Sequence, residues 1–149
     1  MTKRKKSGIL KLCKADRKGP SITNIQAKHD EPAMHLKDLI IESLHNDKAE
    51  DLLLIDLEEK SYIADYMIIV TGTSTRHLQS MAKHLIDKTD SLKNIESHIE
   101  GLEKCEWVLF DAGDVIVHLF LKDVRKFYDL ERIWCFEQSE TPEKITSKP

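Results

Sequence analysis

The strongest constraint on the fold of this chain is a pair of apolar segments separated by a short polar turn. Residues 106–110 and 115–121 are predicted strands, and Asp111-Ala112-Gly113-Asp114 lies between them. Gly113 can adopt a positive φ, so this stretch is predicted to form a hairpin. In the second strand, one face carries Val115, Val117, Leu119 and Leu121, and the other carries Ile116, His118 and Phe120. Both faces are largely apolar, which predicts a sheet covered on each side.

The preceding part of the chain predicts two further strands and two helices. Leu36, Leu39, Ile40 and Leu44 have helical spacing, and that helix is predicted to end near Asn46 and Asp47. Residues 52–57 and 66–71 are predicted strands, separated by a polar loop at 58–61 and followed by Gly72.

A second helix is predicted after Gly72, because Thr73, Ser74 and Thr75 offer hydroxyl groups as N-caps. An apolar stripe follows, formed by Leu78, Met81, Ala82, Leu85 and Ile86. The helix is predicted to end near residues 89–91, with a further short strand between Ile95 and Ile99. A last helix carries Val124, Phe127, Tyr128 and Glu131 along one side. This order predicts an α/β fold with a mixed β-sheet flanked by helices.

The charge is distributed unevenly along the chain. Residues 1–33 hold nine Lys and Arg and three acids, whereas residues 34–149 hold 14 Lys and Arg and 23 acids. We predict a disordered basic arm at 1–33, a folded domain at 34–136 and a disordered polar tail at 137–149. The arm could contact RNA through residues 3–6, could be a targeting segment, or could be untranslated if synthesis begins at Met34.

The cysteines and the hydropathy favour a soluble, cytoplasmic protein. The three cysteines are Cys13, Cys105 and Cys135. Their odd number and their spacing argue against a disulfide framework and fit a reducing compartment. No apolar run approaches the roughly 18 residues of a membrane span. Because the folded part is acidic, it should be repelled by bare phosphate backbone and attracted to a basic protein.

Two blocks of the sequence resemble the RsfS/Iojap family of ribosomal silencing factors. The first runs from Trp107 to Phe120 and continues as Arg125-Lys126-Phe127-Tyr128-Asp129-Leu130-Glu131-Arg132-Ile133-Trp134. The second is Ala64-Asp65-Tyr66-Met67-Ile68-Ile69-Val70-Thr71-Gly72-Thr73-Ser74-Thr75-Arg76-His77. The resemblance extends from about Met34 to Trp134, and it departs from the family pattern in the leading arm and the polar tail.

The resemblance implies a fold related to nucleotidyltransferases and a function without catalysis. The implied partner is the large ribosomal subunit, bound through ribosomal protein L fourteen, so that the small subunit cannot join. A role in assembly of the large subunit and a homodimer are also compatible with it. The partner-binding residues that fall in the matching motifs are Asp65, Tyr66, Trp107, Asp111, Asp114, His118, Arg125, Tyr128, Glu131 and Trp134.

The aromatic residues are concentrated in the last third of the chain. Phe120 and Phe127 are predicted to lie in the core. For Trp107, Tyr128 and Trp134, core packing and partner contact remain equally open, because Trp and Tyr are enriched at interface hot spots.

Enzymatic alternatives have weaker support in the sequence. Gly72-Thr73-Ser74 could pass for a phosphate-binding turn of a nucleotidyltransferase, but no carboxylate pair follows it at the spacing that Mg²⁺ binding needs. A capped strand-to-helix turn explains this segment better. His77, His84, His118 and Cys105 show no local metal-binding spacing, and nothing near Cys105 predicts a lowered thiol pKa. We therefore predict no cofactor, no metal site and no direct nucleic-acid site in the folded domain.

Overall fold

The computed structural model describes residues 11–14, 31–57 and 63–135. The basic cluster at 3–6, the polar loop predicted at 58–61 and the tail at 137–149 lie outside the described residues. The elements are β1 (Lys11–Lys14), α1 (Glu31–Asn46), β2 (Glu50–Asp56), β3 (Tyr66–Gly72), α2 (Thr75–Asp90), β4 (His98–Glu100), β5 (Trp107–Asp111), β6 (Val115–Leu121), α3 (Lys122–Tyr128) and α4 (Leu130–Trp134).

The strands form one mixed sheet in the order β1-β2-β3-β6-β5-β4. The predicted hairpin is confirmed, since β5 and β6 pair antiparallel with Trp107 opposite Phe120 and Asp111 opposite Ile116. Gly113 in the turn has a φ of 91°. The central pair, β3 and β6, is parallel, with Tyr66 opposite Val115. This arrangement confirms the predicted α/β class with helices packed on a mixed sheet.

Helices α1 and α2 cover one face of the sheet. The predicted stripe of α2 is confirmed, because Leu78, Met81, Ala82 and Leu85 are all buried. They pack with Leu36, Ile40 and Leu44 of α1 against Ile68, Val70 and Val117 of the sheet. Ser74 is the N-cap of α2, and its hydroxyl accepts a hydrogen bond from the His77 amide at 3.1 Å.

The second face of the sheet is covered only in part. Its core contains Ile55, Met67, Ile69 and Phe120, which pack against α3 and α4. Trp107 and Ile116 on the same face remain half-buried. Seven- and five-residue helices are too short to cover the strands at this end. Among the residues that the structure describes, the predicted cover is therefore complete on the first face and incomplete on the second.

The single last helix that we predicted is wrong, because the chain breaks into α3 and α4 at Asp129. This residue adopts a left-handed conformation with a φ of 47°, and its amide donates to the Arg125 carbonyl. A left-handed residue at this position ends the helix and changes the chain direction. Phe127, which we predicted in the core, is 79% exposed. Phe120 is fully buried, as predicted.

Three observations differ from the predicted N-terminal boundary and cysteine state. β1 lies inside the segment that we predicted to be disordered, and it pairs parallel with β2. Backbone hydrogen bonds hold such a short edge strand, so its sequence need show no side-chain pattern. Helix α1 begins at Glu31, and Ala33 is fully buried. Cys135 is disulfide-bonded, which sequence spacing did not predict.

The length and hydropathy of a helix decide whether it could span a membrane. No helix within 31–57 or 63–135 is both long enough and apolar enough to span a bilayer.

Candidate functional site

Four of the predicted partner-binding residues meet at the end of the sheet where β3 and β6 begin. The amides of Asp65 and Tyr66 donate to the Asp114 carbonyl at 2.8 and 3.1 Å. The Asp111 carboxylate accepts from the Gly113 amide at 2.8 Å. We call Asp65, Asp111 and Asp114 the acidic end. Tyr66 belongs to the core instead, because its ring is 5% exposed and lies under the Lys37 ammonium group at 5.1 Å.

The aromatic residues gather near the opposite end of β6. The Trp107 ring packs on Phe120 with a centroid distance of 4.9 Å and on Tyr128 at 4.7 Å. Phe127 meets Tyr128 edge to face at 5.0 Å. We call Trp107, Phe127 and Tyr128 the aromatic surface. Tyr128 is 48% exposed, so the surface is open to a partner.

Phe127 is a member of this surface that sequence reasoning missed. Its helical spacing with Val124 and Tyr128 suggested a buried position, whereas its side chain is exposed in α3. Asp129 could have signalled only the end of the helix, since Asp and Asn are the non-glycine residues that most readily adopt left-handed backbone.

His118 supports the aromatic surface from inside the sheet. Its side chain is buried, and Nδ1 accepts a hydrogen bond from Trp107 Nε1 at 3.0 Å. Burial lowers the pKa of His118 to about 4, because the charged imidazolium would lose its hydration there. His118 is therefore neutral at neutral pH and fixes the orientation of the Trp107 ring.

Arg125 and Glu131 join α3 and α4 to the sheet. The Arg125 guanidinium donates to Glu131 Oε2 at 3.0 Å, and one Nη donates to the Asp51 carbonyl and to Thr71 Oγ1, each at 2.8 Å. Trp134, on α4, is half-buried against the core of the second face. These contacts set the position of α3, and with it the position of Phe127 and Tyr128.

The predicted partner-binding residues therefore do not form one patch. Between Asp114 and Phe120 the chain advances six residues, or roughly 20 Å of strand. The acidic end lies at one end of β6. Trp107 and Tyr128 lie at the other, beside the Arg125–Glu131 pair.

Several residues considered for chemistry have structural roles. His77 bonds the Asp47 carbonyl at 2.7 Å, and His84 bonds the Asp47 carboxylate at 2.8 Å, so both link α2 to the end of α1. Cys105 is a free, buried thiol, and burial raises its pKa, which disfavours the nucleophilic thiolate. Within the described ranges, no group of three or more His, Cys, Asp or Glu side chains could hold a metal ion.

Comparison with known proteins places this architecture among ribosomal factors. A family model described as "Ribosomal silencing factor during starvation" (RsfS) matches residues 30–149. The chain is 47% identical to ribosomal silencing factor RsfS of Zymomonas mobilis, over 75% of this chain and 84% of that protein. It is 41% identical to RsfS of Bacillus subtilis, over 58% of this chain and 74% of that protein.

A mouse relative and a solved structure agree with this placement. The mouse protein, named mitochondrial assembly of ribosomal large subunit protein 1, is 33% identical over 65% of this chain and 44% of its own length. A crystal structure from Chromobacterium violaceum superposes with a TM-score of 0.64 at 32% identity, over 77% of this chain and 93% of that chain. The match to the family model over most of the chain, together with these relatives, shows that the protein belongs to the RsfS family of ribosomal silencing factors.

Proposed function

We propose that this protein binds the large ribosomal subunit through ribosomal protein L fourteen and keeps the small subunit from joining. In this proposal it represses translation by steric exclusion, without catalysis or a cofactor, and acts in the cytoplasm. The relatives support a ribosomal role by name, since most are called ribosomal silencing factors. The relation of the fold to nucleotidyltransferases is likewise part of the proposal, and it requires no enzymatic activity.

The observation that carries the proposal is the incomplete cover of the second sheet face. The Tyr128 ring contacts both Trp107 and Phe127, and Phe127 and Tyr128 are exposed. Aromatic residues in a contiguous exposed cluster are the usual energetic centre of a protein interface. His118 and Arg125 hold this cluster in one orientation, which lowers the entropic cost of binding.

Charge supports a basic partner. The chain from 34 to 149 carries nine more acids than Lys and Arg residues, and the acidic end contributes three of these carboxylates. Such a distribution attracts a basic protein over long range and speeds association. We assign docking to the aromatic surface and electrostatic attraction to the acidic end.

The test is sedimentation of purified ribosomal subunits with the protein and with a Phe127→Ala/Tyr128→Ala variant. We expect the unmodified protein to travel with the large subunit and to lower the fraction of joined ribosomes. The double variant should lose at least tenfold in affinity, since hot-spot truncations cost about 2 kcal/mol or more each. Met34→Ala is the matched control, because it truncates an exposed apolar residue on a different helix, α1. If the protein binds neither subunit, the proposal fails.

A second candidate function is assembly of the large subunit, favoured by the name of the mouse relative. The same aromatic surface would serve that role. Depleting the protein from cells distinguishes the two roles. Loss of an assembly factor leads to immature large subunits, whereas loss of a silencing factor leaves the large subunits mature. A homodimer is a separate expectation, which sedimentation of the protein alone tests.

A further inference from the structure

Helix α4, on the second face of the sheet, depends on contacts outside itself. It has five residues, none of them is fully buried, and no side chain caps its N-terminus. A helix of that length is not stable alone in water, because nucleation costs more free energy than so few hydrogen bonds recover. The contacts that attach α4 to the rest of the domain therefore decide whether it keeps its position.

The attachments of α4 lie near its start and at its end. Glu131 accepts a hydrogen bond from the Arg125 guanidinium at 3.0 Å. This attachment is incomplete, because Oε1 of the same carboxylate is buried and has no hydrogen-bond partner among the described residues. At the other end, Cys135 is the C-cap of α4, and its amide donates to the Glu131 carbonyl at 2.7 Å. Cys135 is also disulfide-bonded, so a covalent bond holds this end.

The turn between α3 and α4 also depends on these attachments. Asp129 ends α3 and begins α4 with a φ of 47° and a ψ of 51°. Left-handed backbone is unfavourable for a residue with a Cβ, and it persists where surrounding contacts enforce it. The ion pair of Asp129 with Arg132, at 3.8 Å between exposed groups, is weak. Release of α4 at Cys135 would therefore remove one of the contacts that maintain this turn.

The position of α4 affects the aromatic surface through Arg125. Arg125 lies on α3, shortly before Phe127 and Tyr128, and it binds Glu131 of α4. If α4 moves away, Arg125 loses this carboxylate and α3 loses its link to α4. The Tyr128 ring, whose centroid is 4.7 Å from that of Trp107, then loses part of the support that fixes its position.

The disulfide of Cys135 has the properties of a bond that opens and closes. Disulfides in a reducing compartment are usually transient, and many of them are redox-sensing. Cys135 is only half-buried, whereas the free thiol of Cys105 is buried. An exposed disulfide is more readily reduced than one enclosed in a core. The cytoplasmic location that we propose would bring this bond into contact with thiol reductants.

We propose that the Cys135 disulfide is a redox switch that, when oxidised, fixes α4 and through it the aromatic surface. On reduction the S–S bond breaks. Two molecules of a thiol reductant such as glutathione supply two electrons and two protons and leave as their own disulfide. Both cysteines become thiols, and α4 is released. This inference rests on the proposed function, because it assigns regulation to the surface that docks on the large subunit.

The first test asks whether the bond opens in the folded protein. The full chain has three cysteines and Cys105 is free, so a denatured, air-oxidised sample should react with a maleimide at one thiol. After the folded protein is incubated with millimolar reduced glutathione, the same assay should count all three cysteines as thiols. A count that stays at one indicates a permanent structural bond, and a count of three before reduction indicates no bond. Either result overturns the proposal.

The second test measures hydrogen exchange of the amides in residues 129–135 in both redox forms. We expect reduction to speed this exchange about tenfold, while the amides of α2 stay protected over the same short labelling time. Cys135→Ser is the control for the reductant, because it should exchange like the reduced protein with or without glutathione. Equal exchange in the oxidised and reduced forms of the unmodified protein overturns the proposal.

The third test is sedimentation of the two redox forms with the large ribosomal subunit. We expect the oxidised protein to bind severalfold more tightly than either the reduced protein or Cys135→Ser, because an ordered surface loses less entropy on binding. Equal binding by the two redox forms overturns the regulatory role. If neither form binds, the proposed function fails, and the thiol count and the hydrogen exchange decide by themselves whether the switch exists.

Discussion

The indole Nε1 of Trp107 donates a hydrogen bond to Nδ1 of His118 across the β5–β6 hairpin, at 3.0 Å. The bond requires a neutral imidazole with an unprotonated Nδ1. Because the Trp107 ring also contacts Tyr128, the protonation state of a buried histidine is connected to the geometry of the exposed aromatic surface.

The first prediction concerns pH. The pKa of His118 is about 4 when folded, against an ordinary value of 6.5. Between these values the unfolded chain binds the proton and the folded chain does not. The contribution of His118 is therefore fully present above pH 6.5 and is lost as the pH falls towards 4. We expect about 2–3 kcal/mol less stability at pH 4.5 than at pH 7.5 from this residue alone.

The measurement is urea unfolding at both pH values for the unmodified chain and for His118→Gln. Glutamine keeps an acceptor for Trp107 but does not titrate in this range. The two proteins share every other titratable group, so the difference between their losses of stability isolates the contribution of His118. Equal losses in the two proteins would contradict the prediction.

The second prediction concerns Arg125, which bonds Asp51, Thr71 and Glu131 at once. Arg125→Met removes these bonds and leaves a largely buried carboxylate without its cation. We expect a loss of about 2–4 kcal/mol in the free energy of unfolding. Arg125→Lys should recover only part of it, because an ammonium group cannot reproduce the planar fork. Arg132→Met, at an exposed arginine of α4, should change the stability by less than about 0.5 kcal/mol.

The third prediction compares two glycines with the same backbone conformation. Gly101 and Gly113 have φ values of 90° and 91°. A Cβ at Gly101 would lie 2.3 Å from the Trp107 carbonyl oxygen, whereas a Cβ at Gly113 meets nothing within 4 Å. Gly113→Ala should therefore cost about 1 kcal/mol for the positive φ alone. Gly101→Ala should cost about 2 kcal/mol more, since the backbone must move. Similar urea midpoints for the two variants would refute this ranking.

The fourth prediction concerns the acidic end. Asp114→Lys should slow capture of the large subunit severalfold at low salt and have little effect at high salt, as expected for electrostatic attraction. Asp90→Lys, at an exposed acid of α2, makes the same change of net charge elsewhere. If both variants bind at the same rate, the acidic end has no special role.

Much of the architecture could be predicted from the sequence because it depends on local periodicity. The strand β6, the hairpin turn and the α2 stripe repeat at the spacing of one strand or one helix turn, so their residues could be identified directly. The same reasoning failed at the last helix, because helical spacing assumes that the helix continues. A single left-handed residue, Asp129, ends it.

The candidate site was predicted less well, because proximity in a sequence motif does not mean proximity on one surface. The motif that contains Trp107 also contains Asp114, yet the hairpin places them near opposite ends of the strands. Arg125 was named because it falls in the family motif, and its partners Asp51 and Thr71 lie 74 and 54 residues earlier in the chain. No spacing rule connects such residues.

The sequence by itself determined the elements, the α/β class and the family, because each depends on patterns that adjacent residues carry. The tertiary structure decided which face of the sheet stays open, which aromatic rings are exposed, and that Arg125 joins Thr71 to Glu131. The physical reason is that burial depends on what packs opposite a residue. For this chain the decisive neighbours belong to strands and helices far apart in sequence.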